Sequence, residues 1–226
     1  MTATGLQRNA LILTGGPFPD SVISRLVDEL PARTRETDLV VAADGGALVA
    51  RRLGLPVDLL VGDLDSADDQ SINDAADVRR HPVDKNETDL ELALGTALAR
   101  GIRSVTVVVT LSGRIDHALG NLQIATSNRW GSMQIDLRVD SALGWVVRDS
   151  LRITGRVGDT VGLLAIGEPS TGLTTTGLAW PLDDAILEPG TGLGLSNRMT
   201  AETAEIRMSS GVLLVLKDRP DRPDYE

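Results

Sequence analysis

In the first half of the chain, short apolar runs alternate with stretches whose apolar residues recur at helical spacing. This is the pattern of a mainly parallel sheet with crossover helices. Strands are predicted at Ala10–Thr14, Leu39–Ala43, Leu59–Val61, Asp77–Arg79 and Val105–Leu111. The last is almost continuously β-branched, as suits a strand covered on both faces. Helices are predicted near Ser21–Glu29, Ala47–Arg52, Ser71–Ala75, Asp89–Arg100 and Ala118–Asn128. Asp89–Arg100 is the clearest: Thr88 and Glu91 form a capping box, Leu90, Ala93, Leu94, Ala97 and Leu98 share one face, and Gly101 is placed to end it.

After Trp130 the helical period fades. Short strand-like pieces follow at Ile135–Val139, Trp145–Arg148, Thr160–Ile166, Ala204–Met208 and Val212–Leu216, with glycines between them. That spacing predicts an all-β sandwich or barrel. The fold class is thus an α/β N-terminal domain with a mainly parallel sheet, then an all-β sandwich C-terminal domain. The domains are set at residues 1–134 and 135–226, and the Pro-containing tail Arg219–Glu226 is expected to fray.

Composition narrows the functions open to such a chain. Its 226 residues are 42% hydrophobic but only 2% aromatic, so the core must rest on aliphatic residues and each of the three tryptophans has to be placed. A net charge of -10 argues against a nucleic-acid partner, which needs clustered Lys and Arg. It leaves room for a nucleotide held through a divalent metal. There is no Cys, which removes thiolate chemistry and disulfides. The longest early apolar run, Ala10–Leu13, is too short for a signal peptide or membrane span, so the expectation is a cytoplasmic protein with no membrane partner.

Parallel sheets deliver ligands at the carboxyl ends of their strands. The successive strand ends here carry Asp44-Gly45-Gly46, Gly62-Asp63-Leu64-Asp65-Ser66, Asp84-Lys85-Asn86-Glu87-Thr88-Asp89 and Ser112-Gly113-Arg114-Ile115-Asp116-His117. Asp63 and Asp65 taken alone read more readily as an acidic turn facing solvent. With the other strand ends on the same edge they are hard oxygen donors suited to Mg²⁺, with Asp44 or Asp89 completing the shell. Asp89 also suits the first turn of its helix simply as N-terminal charge. Gly45, Gly46, Gly62 and Gly113 would let backbone approach a phosphate.

Lys85, one of two lysines among twenty arginines, could hold a phosphate or pair with Asp84. Arg114 offers a planar fork to phosphate. Asp116 could take a hydrogen bond from substrate or cap the next helix, and His117 is an acid, a base or a satisfied helix residue. In the second half, Trp180 sits in Thr174–Leu182, read as a loop too rich in Thr and Gly to be core. It suits a flat cationic ligand or plugs the sandwich end. Ser196-Asn197 adds two hydrogen-bonding side chains in a small-residue turn. No P-loop or dinucleotide fingerprint is present.

Taken together, Ala43-Asp44-Gly45-Gly46, Gly62–Ser66, Glu87–Glu91, Gly113–His117, Thr176–Leu182 and Ser196-Asn197 make the chain resemble the thiamine pyrophosphokinase (thiamine diphosphokinase) family along nearly its whole length. Ser112 stands where many members carry a second glycine, Asn86 where Asp is frequent, and Thr14-Gly15-Gly16-Pro17 only loosely matches the family's nucleotide loop. The resemblance implies pyrophosphoryl transfer from ATP to the hydroxyl of thiamine, releasing AMP, with Mg²⁺ required. It also implies a homodimer with the active site at the subunit interface.

Carried over by motif, Asp63, Asp65 and Asp89 bind metal. Asp44, with Gly45, Gly46, Lys85, Thr88 and Gly113, lies by the nucleotide, and Arg114 and Asp116 meet phosphates and thiamine. His117, Trp180, Ser196 and Asn197 fall to the thiamine side. Alternatives are a diphosphokinase acting on a pterin alcohol and a catalytically silent nucleotide or thiamine sensor. A haloacid-dehalogenase-type phosphatase fits less well, because Ala67 stands four residues after the first Asp where Thr or Val is usual.

Overall fold

The structure, a computed structural model, describes residues 9–30 and 39–218. The tail predicted to fray lies outside them. The chain divides into two compact units, one built from residues up to 125 together with 132–140, the other from 126–131 and 141 onward.

The first unit runs β1 (Asn9–Leu13), α1 (Asp20–Glu29), β2 (Leu39–Ala43), α2 (Gly46–Leu53), β3 (Leu59–Gly62), α3 (Asp69–Asp74), β4 (Val78–Arg80), α4 (Asp89–Ala99), β5 (Ser104–Val109), α5 (Ile115–Thr126) and β6 (Gln134–Val139). Its strands lie in the order β6-β5-β1-β2-β3-β4, and every pairing is parallel. The strand expected at Ile135–Val139 among the β-rich second half therefore completes this sheet, in register from Ser104–Gln134 to Val109–Val139. Its alternation of apolar and polar residues fits either kind of neighbour, so the sequence could not decide between them.

On one face of the sheet Leu11, Leu13, Val40 and Val108 pack with α1 and α2. On the other, Ile12, Val41 and Leu59 are fully buried. Helix α4, which packs against β1, β2 and β3, places Leu90, Ala93, Leu94 and Ala97 in the interior. Both halves of its capping box form, Thr88 N–H donating to Glu91 Oε2 at 2.9 Å and Glu91 N–H to Thr88 Oγ1 at 3.3 Å.

The second unit comprises β7 (Ala142–Val147), β8 (Ser150–Thr154), β9 (Thr160–Ala165), β10 (Ser170–Thr176), β11 (Ala185–Leu187), β12 (Asn197–Arg198), β13 (Thr203–Arg207) and β14 (Leu213–Asp218). Its antiparallel strands form two layers, β12-β9-β14-β7 and β11-β10-β13-β8. Val147, Val161, Leu163 and Val215 from the first layer meet Ile153, Leu173, Ala204 and Ile206 from the second in one apolar core. This is the predicted sandwich. The threonine-rich run Thr174–Thr176, read as loop, is the end of β10 and pairs with β13; β-branched threonine suits a pleated surface. At the rim, Lys217 Nζ donates to Asp159 Oδ2 at 2.8 Å, with both side chains under 10% exposed. Among the described residues no helix is long and apolar enough to cross a membrane.

Candidate active site

The carboxyl ends of β1, β2, β3 and β5 converge as parallel topology requires. Asp44, directly after β2, has φ +44°, and Leu64, between the two aspartates after β3, has φ +66°. For leucine this left-handed conformation costs about 1–2 kcal/mol. The cost is offset because Leu64, 6% exposed, buries its side chain with Ala42, Ala47 and Leu60, worth about 1.5–3 kcal/mol. The turn is held further by Ser66 N–H on Asp44 Oδ1 (3.3 Å), Asp65 N–H on Asp63 Oδ1 (3.3 Å) and Ser66 Oγ on Asp65 Oδ1 (2.9 Å). As a result, carboxylate oxygens of Asp44, Asp63 and Asp65 come within 4.8 Å of one another.

Asp89 approaches the same place from α4. A Cβ on Gly62 would stand 3.0 Å from Asp44 Cβ and 3.1 Å from the Asp89 carboxylate, so this glycine is what lets the two acids close on the strand end. Lys85 Nζ lies 3.4 Å from Asp63 Oδ2 and 3.1 Å from Asp89 Oδ1, with 12% of its side chain exposed. It does not pair with Asp84. The contact to Asp89 is an ion pair off the hydrogen-bonding direction, and Asp89 Oδ1 is buried without a hydrogen bond. Burial raises the Asp89 pKa, Lys85 pulls it back, and the charges of Asp44 and Asp63 push it up again. For Lys85 burial works against the charge, but Asp89 and Asp63 outweigh it and its pKa is raised. Four carboxylates against one lysine leave a surplus of negative charge and an unsatisfied buried oxygen. An all-oxygen set of this kind fits a hard divalent cation.

A cleft of about 640 Å³ opens beside these acids, wholly within the first unit. Of the residues predicted for the site, Asp44, Gly45, Thr88, Asp89, Arg114, Asp116 and His117 line it. Asp63, Asp65 and Lys85 adjoin it through Asp44 and Asp89. Gly46 does not line it: a Cβ there would fall 1.9 Å from the Leu13 carbonyl oxygen, so glycine is needed to seat α2 against β1. Gly113, at φ +87°, packs against Pro17. Residues 14–17, noted above only as a loose match to a nucleotide loop, line the cleft, as does Asn121, which was not read as a site residue. The glycine pair at 15–16 was the available signal for the first group; Asn121 carried none.

Arg114 grips Asp116 with two bonds, Nε to Oδ1 at 3.2 Å and an NH2 group to Oδ2 at 2.6 Å, both side chains exposed. The guanidinium holds the Asp116 carboxyl down at about 2 and Asp116 in turn raises the Arg114 pKa. Asp116 lies in the first turn of α5 rather than at its cap, with His117 exposed beside it.

In the second unit Trp180 is 54% exposed, with the Arg198 guanidinium 5.2 Å from its ring centroid. Asn197, 2% exposed, accepts from Trp180 N–H at 3.1 Å and donates to Trp180 O at 2.8 Å. Its amide is thus spent on fixing the tryptophan's backbone. Ser196 is exposed at φ +57°.

Residues 31–137 match the family described as thiamin pyrophosphokinase, catalytic domain, and residues 150–213 match its vitamin B1 binding domain. The thiamine pyrophosphokinase of Bacillus subtilis is 26% identical over 91% of this chain and 96% of its own length, and thiamine pyrophosphokinase 1 of Arabidopsis thaliana is 29% identical over 86% and 74%. The crystal structure of the Bacillus subtilis protein superposes with a TM-score of 0.76 over 93% of this chain and 98% of that one, at 22% identity, which speaks for the fold alone. With both domains matched in the same order, the chain belongs to the thiamine pyrophosphokinase family.

Proposed function

We propose that this protein transfers a pyrophosphoryl group from ATP to the hydroxyl of thiamine, giving thiamine diphosphate and AMP, and that Mg²⁺ is required. The observation that carries the reading is Asp44. It belongs both to the cleft wall and to the carboxylate group with Asp63 and Asp65, so it joins a cavity of nucleotide size to a place for a cation. Asp44, Asp63 and Asp65 would hold Mg²⁺, with Asp89 beside them, and the ion would supply charge neutralisation for the transferring phosphates.

The chain's own residues do the rest. Lys85, kept protonated by Asp63 and Asp89, adds a positive charge next to the carboxylates. Arg114 presents a guanidinium to the polyphosphate while its pairing with Asp116 fixes its direction. Asp116, held by Arg114 on both carboxylate oxygens, is placed to orient the thiamine hydroxyl. Transfer through a loose transition state depends on placement and charge more than on a strong base. The α/β unit takes ATP and metal. The β unit contributes Trp180 and Ser196 to thiamine, with Asn197 behind Trp180. The protein works in the cytoplasm as a homodimer with thiamine bound at the subunit interface.

The test is to incubate the purified protein with ATP, Mg²⁺ and thiamine and to resolve the products. Equal amounts of AMP and thiamine diphosphate are expected. ADP with thiamine monophosphate, or turnover only when a pterin alcohol replaces thiamine, would overturn the reading. Sedimentation of the protein as a monomer at assay concentration would remove the dimer.

A further inference from the structure

The wall that α5 gives to the cleft contains a glycine for which the protein itself supplies no reason. Gly120 lies well inside a 12-residue helix, where glycine is a much poorer helix former than alanine. It is not among the glycines with positive φ, and a Cβ built on it would meet nothing within 4 Å beyond its chain neighbours and its own helix backbone. Neither backbone conformation nor close packing therefore excludes a side chain. What a side chain would occupy is the cleft, which Gly120 lines.

Its neighbour Asn121 lines the same cleft half-buried, and its side-chain amide makes no hydrogen bond to any described residue. The lining of the cleft also includes the apolar Leu48, Leu90, Ala118 and Ile124. Apolar lining with a bare patch of backbone suits a flat ring. A single amide, with a donor and an acceptor side by side, suits a ring edge on which an amine stands next to a ring nitrogen, as asparagine reads adenine.

We propose that Gly120 and Asn121 form a subsite for the aminopyrimidine edge of a substrate, Gly120 giving the ring room and Asn121 reading its edge. The proposal rests on the reaction proposed above, in which two molecules carry that edge: ATP in its adenine and thiamine in its pyrimidine ring.

The test compares Gly120→Ala and Asn121→Ala with Gly95→Ala. Gly95 sits inside α4, likewise has nothing within 4 Å of a built Cβ beyond its chain neighbours and its own helix backbone, and does not line the cleft. Gly120→Ala should raise Tm by about 2–4 °C, as a better helix former does in a chain of this size. It should also raise KM for one of the two substrates by about tenfold. Asn121→Ala should raise the same KM by about fivefold or more and leave the other unchanged. Gly95→Ala should raise Tm alone. A rise on the ATP side assigns the adenine, and a rise on the thiamine side assigns the pyrimidine. Unchanged KM values for both substrates in both cleft variants, or a lower Tm for Gly120→Ala, would overturn the subsite. Should the wild type make no thiamine diphosphate, calorimetric titration of the same variants with ATP and with thiamine decides the subsite independently: loss of affinity for one ligand supports it, and unchanged affinity for both overturns it.

Discussion

Each unit of the protein buries one of its two lysines against aspartate, and the two arrangements differ in a way that separates structure from function. In the sandwich, Lys217 meets Asp159 at 2.8 Å, and Asp159 Oδ2 also accepts the Arg156 N–H at 3.0 Å. In the α/β unit, Lys85 stands 3.1 Å and 3.4 Å from two acids while Asp44 and Asp65 crowd nearby and a buried Asp89 oxygen goes without a hydrogen bond. The titrations move in opposite directions. Burial works against the Asp159 charge, yet Lys217 and the Arg156 N–H more than compensate and its pKa is lowered; Asp89 ends up raised. The first group is complete within the protein. The second leaves negative charge and one buried oxygen unmet by the described residues. Both look alike in a count of ion pairs, and only their satisfaction tells them apart.

Substitutions can break this contrast. The largest effect is expected at the complete pair: Asp159→Ala strands a buried ammonium and should cost about 3–5 kcal/mol in urea unfolding. The double change Asp159→Leu with Lys217→Met, which removes both charges, should recover most of it. A double variant as unstable as the single one would show that the charges are not the issue.

At the incomplete group the sign reverses. Asp63→Asn should lower kcat by roughly 100- to 1,000-fold and leave the unfolding midpoint unchanged or higher, because it relieves like charge. A large drop in stability would make Asp63 structural. Acid sharpens the comparison further. A depressed folded pKa means that the Asp159 contribution is present above the unfolded value of about 4 and is lost as pH falls through the folded one. Asp89, raised, has the opposite sign, so its protonation eases the fold. Urea midpoints between pH 7 and pH 3 should therefore fall less steeply in the Asp159→Leu, Lys217→Met protein than in the wild type, and equal slopes would refute the assignment. The smallest effect is at Trp180: Trp180→Ala should raise KM for thiamine by roughly 3- to 30-fold through lost cation–π contact while kcat changes little. An unchanged KM would return Trp180 to a purely structural place beside Arg198.

Much of the scaffold could be read from the pattern of residues. Apolar runs ending in Asp-Gly-Gly and Gly-Asp-Leu-Asp marked strand ends, and parallel order then put them on one edge. Which acids would actually meet could not be read, because it depends on the positive φ of Asp44 and Leu64, a property that neither residue type announces. Gly46 was read as room for phosphate, and the structure shows that it makes room for the Leu13 carbonyl; spacing cannot distinguish one close approach from another. Asn197 looked like a ligand-binding amide, yet its partner lies seventeen residues away in the backbone of Trp180. Polar side chains reveal their type in sequence but not their partners.

The scarcity of lysine has a practical consequence. With Lys85 and Lys217 both shielded, neither lysine is readily available to an amine-directed reagent on the native chain. Each lysine becomes modifiable when its own unit opens, so the labelling rate at each position, followed by mass spectrometry, gives a separate opening rate for each half. Saturating substrate should slow acylation of Lys85 in a wild-type background and leave the pace at Lys217 to the sandwich alone.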